Sequence, residues 1–220
     1  MQTQSCISVV EDDDAVRTAL LRLVSTTGHL TYGFSTATEF LESDLFCKPG
    51  CLLLDFSLPD LSGLDLLQEL NVRKATVPVI FMSGYGDVPI TVRAMKLGAI
   101  DFLTKPVRET VLFATIDNAL ALGEQRRGQQ VRGDEVRSRM ATLTPREREV
   151  LDGVLLGRLN KQIARALGIS EKTVKVHRGR VMTKMGVRHV AQLAQLAAEI
   201  EYHVVDARAA NPPRILSVPA

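Results

Sequence analysis

The 220-residue chain is 45% hydrophobic and 24% charged, an ordinary globular composition that excludes a disordered or collagen-like polymer and is long enough for one large domain or two small ones. No segment approaches the roughly 20 apolar residues of a membrane helix, and the start lacks the basic-then-apolar pattern of a signal peptide, so a cytoplasmic setting without a membrane partner is expected. The net charge of +2 hides an asymmetry: residues 1–121 carry −6 and residues 122–220 carry +8, which makes nucleic acid the leading partner for the second half.

In chain order, the first half predicts strands at 6–10, 30–34, 51–55, 78–82 and 101–103. Helical patterns fall between and after them at 15–27, 36–44, 64–73, 88–97 and 108–121. Short apolar strands alternating with helices imply right-handed crossovers and a parallel sheet covered on both faces. Cys6 and Cys51 lie in these apolar strands, and the three cysteines, Cys47 included, cannot all pair with one another, in keeping with a reducing compartment. Residues 122–141, punctuated by Gly123, Gly128 and Gly133, read as a linker with some helical content.

The remainder predicts four helices and no strand. Thr144, Pro145 and Glu147 form a capping box opening a helix over 145–156. Asn160 is placed as the cap of a helix over 161–167, ended by Gly168, and Ser170 as the cap of one over 171–185. A last helix spans 189–201, and the tail over 204–220 reads as disordered. The fold class is therefore α/β, a five-stranded parallel domain followed by an all-α domain.

Acids gather at strand ends in the first half. Glu11, Asp12, Asp13 and Asp14 follow the first strand, and Asp55 ends the third. In a doubly wound sheet of order 2-1-3-4-5 those two strands are neighbours, and ligands bind beyond their carboxyl ends. Asp13 or Asp14 is the natural cap of the following helix, whereas Glu11, Asp12 and Asp55 can converge. Three crowded carboxylates repel unless a cation lies among them, and hard oxygen donors suit Mg²⁺. Ser83 ends the fourth strand and Lys105 follows the fifth. A carboxylate, a hydroxyl, an ammonium and a metal at strand ends make a phosphoryl-transfer site in which Asp55 attacks.

The segments VVEDDD, LLLDFSLPDLSG, VIFMSGYGD and AIDFLTKP resemble the signature segments of the receiver domain of two-component response regulators, over residues 5–121. The resemblance implies a flavodoxin-like fold in which Asp55 accepts a phosphoryl group from a sensor histidine kinase. It implies that Glu11, Asp12, Asp55 and the backbone carbonyl of Ser57 hold Mg²⁺, with Glu11 standing where aspartate is commoner. Ser83 and Lys105 would contact the phosphoryl oxygens, the Lys105–Pro106 peptide would be cis, and Phe102 would change rotamer as Ser83 moves, although a plain core aromatic fits the same pattern.

In the basic half, Ala164, Gly168 and Val174 fall where a helix-turn-helix needs a small residue, a turn and an anchor. The basic face of the second helix offers Lys172, Thr173, Lys175 and Val176 to base edges and Arg178, Arg180 and Lys184 to phosphates. Gly179 invites close backbone approach. LTPREREVL, GRLNKQIARALGIS and KTVKVHRGRVMTKMGV resemble the LuxR-type DNA-binding domain over residues 142–203. The combined architecture resembles the NarL/FixJ regulators, most nearly the FixJ-like branch. That implies a promoter-binding transcription factor that dimerises on phosphorylation through Val88, Arg93, Lys96, Leu97 and neighbours of Phe102, with RNA polymerase as a further partner.

Three other readings compete. A Mg²⁺-dependent phosphohydrolase wants a second acid two residues after the nucleophile, where Ser57 stands. A regulator sensing a small apolar ligand would want an aromatic pocket, yet the chain has no Trp and three Tyr. A constitutive receiver would not need the intact set of Glu11, Asp12, Asp55, Ser83 and Lys105.

Overall fold

The computed structural model describes residues 5–84 and 88–204. The chain divides into two compact units, residues 1–129 and 130–220. In the first, strands β1 (Cys6–Val10), β2 (Leu30–Phe34), β3 (Gly50–Asp55), β4 (Val79–Ser83) and β5 (Asp101–Thr104) alternate with helices α1 (Asp14–Ser25), α2 (Ala37–Glu42), α3 (Gly63–Val72), α4 (Val88–Lys96) and α5 (Glu109–Ala141). All strand pairs are parallel in the order β2-β1-β3-β4-β5.

The sheet splits the hydrophobic residues of β1, β3, β4 and β5 between two cores. Val10, Leu52, Leu54 and Phe81 meet Phe40 of α2, Leu66 and Leu70 of α3 and Ala94 of α4 on one face. Ile7, Val9, Leu53, Ile80 and Met82 meet Val24 of α1 and Leu112, Ile116 and Ala119 of α5 on the other. This two-sided burial is why β1, β3 and β4 have every residue buried and read as unbroken apolar runs. The edge strands β2 and β5 are only partly covered. At the amino end of α1 Asp13 is the cap, accepting from the N–H groups of Ala15 and Val16 at 2.9 and 3.0 Å.

Helix α5 departs from the expected end at residue 121 and continues without a break to Ala141. Residues 122–141 are therefore helical throughout, and they are not a mere spacer: Val136 and Met140 are buried in the core of the second unit. The i,i+4 spacing of those two puts them on one face of the helix.

The second unit contains, besides the end of α5, helices α6 (Pro145–Leu155), α7 (Asn160–Leu167), α8 (Glu171–Met185) and α9 (Val190–Glu199). The capping box opens α6: Thr144 N–H donates to Glu147 Oε2 at 2.9 Å and Glu147 N–H to Thr144 Oγ1 at 3.3 Å. Val150, Leu151, Ile163, Val174, Val181, Met185 and Leu193 form its core. Asn160 does not cap α7 as expected. It is the first helical residue, and Gln162 Oε1 accepts from Leu159 N–H at 2.9 Å instead. The expectation for the tail, residues 204–220, lies outside the described residues from position 205 onward.

Candidate functional site

Four strand ends build the first site. Glu11 follows β1, Asp55 ends β3, Ser83 ends β4 and Lys105 follows β5, so parallel pairing delivers them all to the carboxyl edge of the sheet. Glu11 and Asp55 are buried at 2% and 6% exposure. Glu11, Asp12 and Asp55 can each bring one carboxylate oxygen to within 4.8 Å of the other two, with Asp12 exposed on the solvent side. Lys105 Nζ donates to Glu11 Oε2 at 2.6 Å and makes a shorter contact with Asp55 Oδ1.

The electrostatics follow from this packing. Burial pushes the Glu11 carboxyl up, and the neighbouring Asp55 adds to that, against the partial relief supplied by Lys105. Burial pulls the Lys105 ammonium down, but the hydrogen bonds and charges of Asp55 and Glu11 together outweigh it and raise its pKa. Lys105 balances only one of three carboxylate charges. A cluster of hard oxygen donors, two of them buried and undercompensated, fits Mg²⁺ by donor type and charge.

Backbone constraints hold the cluster in place. Ser57 N–H donates to Asp55 Oδ2 at 2.9 Å and Lys105 N–H to Ser83 O at 2.7 Å. The Lys105–Pro106 peptide is cis. A Cβ on Gly63 would stand 2.7 Å from Phe81 Cε1 and 2.8 Å from Asp55 O, so only glycine lets α3 begin against the strand that carries Asp55. Phe102 packs among Phe56 and Phe81, its ring 6.0 Å from that of Phe81. The sequence reading passed over Arg17. Its Nη1 donates to Glu11 O at 2.7 Å and Asp12 O at 3.4 Å, pinning the main chain behind both carboxylates. A cation one turn into the helix after an acid run was the available signal.

The second site is the pair α7 and α8. Gly168 ends α7 with φ 66°, in the left-handed region, and Ser170 Oγ accepts from Thr173 N–H at 3.1 Å to start α8. Val174, Val181 and Met185 are buried, which turns Lys172, Lys175, Val176, Gly179 and Arg180 outward to solvent, with Thr173 and Arg178 half-buried. Nothing lies within 4 Å of a Cβ built on Gly179, so no internal contact requires glycine there.

Two of the expected cationic contacts have partners inside the unit. Arg178 Nη1 donates to Asn160 Oδ1 at 3.1 Å, tying α8 to the start of α7. Lys184, expected to meet phosphate, instead donates to buried Glu147 Oε2 at 2.7 Å and to Thr142 O at 2.9 Å. The ammonium compensates a carboxylate that burial would otherwise leave unpaired.

Comparison with known proteins finds a family match in each half of the chain. Residues 7–117 match the response regulator receiver domain, and residues 141–197 match the bacterial regulatory proteins of the luxR family. The response regulator protein TodT of Pseudomonas putida is 43% identical over 197 residues, 90% of this chain and 87% of that protein. The transcriptional regulatory protein FixJ of Azorhizobium caulinodans is 42% identical over 191 residues, 87% of this chain and 90% of that one. This chain belongs to the two-component response regulators with a LuxR-type DNA-binding domain. The solved structure of the response regulator StyR aligns with this regulator at a TM-score of 0.73 and 40% identity, over 89% of this chain and 99% of that one. Full-length FixJ from B. japonicum aligns at 0.55 and 37%, over 91% and 98%.

Within this response regulator the surface of α4 is apolar and open. Val88 is 71% exposed, Val92 46% and Met95 45%, and Arg93 and Lys96 are exposed beside them. Leu97, expected on the same surface, is half-buried against the receiver core, and its carbonyl accepts from Asn71 Nδ2 at 2.8 Å. Among the described residues no helix is long and apolar enough to cross a membrane.

Proposed function

We propose that the regulator accepts a phosphoryl group on Asp55 from the phosphohistidine of a sensor kinase and thereby controls promoter binding by its second unit. The observation that carries this reading is the convergence of Glu11, Asp12 and Asp55 with Lys105 at one sheet edge, in a chain that also carries a helix-turn-helix. An Asp55 carboxylate oxygen attacks phosphorus, the phosphorus–nitrogen bond of the donor breaks, and the aspartyl phosphate is the product. Glu11, Asp12, Asp55 and the carbonyl of Ser57 would hold Mg²⁺, which would supply positive charge to the oxygens in transfer. Lys105 offsets charge from the β5 side, and the Ser83 hydroxyl donates to a phosphoryl oxygen.

Lys105 then exchanges part of its pairing with Glu11 and Asp55 for the new oxygens. Ser83 moves with it, and Phe102 answers by changing rotamer, biasing a two-state receiver. The exposed face of α4, with Val88, Arg93 and Lys96, takes a second receiver, and two copies of α8 meet two half-sites. Lys172, Thr173, Lys175 and Val176 face bases, while Arg178 and Arg180 face phosphates. In this reading the receiver spans residues 1–121, residues 122–141 connect it to the DNA-binding domain of 142–203, and RNA polymerase reads the bound dimer in the cytoplasm. No substrate is turned over: the chain phosphorylates itself from a donor and slowly loses the group to water.

The test is acetyl phosphate with Mg²⁺ on the intact chain. A mass gain of about 80 Da, absent in Asp55→Asn, together with tighter promoter binding and a doubled sedimenting mass, is the expected result. A wild type that takes up no adduct refutes the reading.

A further inference from the structure

Asp60 lies in the middle of the segment 56–62 that joins β3 to α3, and its side chain leaves that segment to grip another element. Asp60 Oδ1 accepts from Ala37 N–H at 3.2 Å, and Oδ2 accepts from Thr38 N–H at 2.8 Å and Thr38 Oγ1–H at 2.7 Å. These are the first backbone donors of α2, which a helix leaves without intrahelical partners. Asp60 supplies them from 22 and 23 residues away in sequence. Burial pushes its carboxyl up, but the hydrogen bonds from Thr38, Leu61 and Ala37 outweigh this and hold it at about 2, so the clamp is charged at any ordinary pH.

The segment has few other restraints. Phe56 N–H donates to Met82 O at 2.9 Å, Ser57 N–H to Asp55 Oδ2 at 2.9 Å, and Gly63 N–H to Phe56 O at 3.1 Å. Those bonds fasten its two ends. Leu58 packs against the receiver core, but Ser57, Pro59, Asp60 and Leu61 are exposed, so packing holds the segment at Leu58 and leaves its neighbours to hydrogen bonds. Helix α2, by contrast, is a fixed platform, with Ala37 and Phe40 at 0% exposure in the receiver core.

We propose that Asp60 is a positioning residue for the phosphoryl site: by clamping the β3–α3 segment to α2 it pre-orders Ser57 beside Asp55. This rests on the reading that Asp55, with Ser57 and the two acids after β1, works with Mg²⁺. A segment already held in place is not ordered at the expense of binding, and removing such an outer support lowers metal affinity. The two oxygens have separate tasks, so an amide at this position satisfies one group of donors and not both.

The experiment is isothermal titration of the intact chain with Mg²⁺, alongside its thermal unfolding and the lifetime of its aspartyl phosphate. Asp60→Ala is expected to weaken Mg²⁺ binding by about tenfold and Asp60→Asn by less. Thr38→Val, which leaves Asp60 and the core untouched, is expected to weaken it by about fourfold through the lost hydroxyl bond, and Thr38→Ser to restore it. Should Asp60→Ala fail to fold, the Thr38 pair carries the test. Variants that bind Mg²⁺ as wild type does, whatever their melting temperature, overturn the positioning role and leave the proposed function standing. A wild type that binds no Mg²⁺ and takes no phosphoryl group overturns both.

Discussion

Lys184→Met probes the buried acid of the DNA-binding unit. Glu147 is 3% exposed at its side chain and accepts from Lys184 Nζ at 2.7 Å and from Thr144 N–H at 2.9 Å. The Lys184 bond is the leading reason its carboxyl falls from 4.5 to about 2, with the Thr144 backbone next. At about 1.36 kcal/mol per pH unit, that difference is worth about 3 kcal/mol near neutrality from all partners together. Lys184 is one-third exposed, so solvent screens its share, and methionine preserves the packing of the stem. The expected loss is about 2 kcal/mol at pH 7. The folded carboxyl lies below its unfolded value, so the stabilisation is complete above pH 4.5 and disappears as the pH falls through 2. At pH 3 the gap between wild type and variant should therefore shrink to under about half of its neutral value. Urea unfolding of residues 130–220, followed by far-ultraviolet circular dichroism at both pH values, measures this directly. Equal gaps at pH 7 and pH 3 would show that the cost comes from packing rather than from charge, and would refute the reasoning.

Further consequences can be measured on the same protein. A fragment of residues 142–220 lacks Val136 and Met140, which are 3% and 7% exposed, and should be about 3 kcal/mol less stable than 130–220. Equal stability would mean that those side chains contribute nothing. Among the thiols, burial pushes Cys51 up to about 12 and also raises Cys6, while Cys47 is exposed. A disulfide reagent at pH 8 should modify a single cysteine quickly, identified as Cys47 by peptide mapping, and reach the other two at the rate of unfolding. Fast reaction at Cys51 would contradict the packing of β3.

The sheet was legible because its determinants are local. Strands such as CLLLD carry their own burial in an unbroken apolar run, and the acids that matter sit at a strand end or within two residues of one, where topology alone brings them together. The start of α6 was legible for the same reason, since Thr144, Pro145 and Glu147 are neighbours in sequence. What stayed hidden depends on partners far along the chain. The role of Lys184 requires Glu147, 37 residues earlier, and from α8 alone it is one more member of a basic face. Asn160 has a capping residue's chemistry but points to Arg178, 18 residues on. In residues 122–141 a charged, glycine-punctuated composition masked a helix, because backbone hydrogen bonding needs no apolar surface. The Val136–Met140 spacing was the sign that part of it is buried.

Helix α5 has a consequence for how the chain is handled by proteases. Leu112, Ile116 and Ala119 anchor its beginning and Val136 and Met140 its end, whereas residues 124–132 contribute nothing to either core. Gly128 and Gly133 each cost about 1 kcal/mol relative to alanine within a helix, and a short helical stretch in water is marginal by itself. The middle turns can therefore melt while both anchors stay folded, and Arg126, Arg127 and Arg132 make that fuse a substrate for trypsin well before either globule yields.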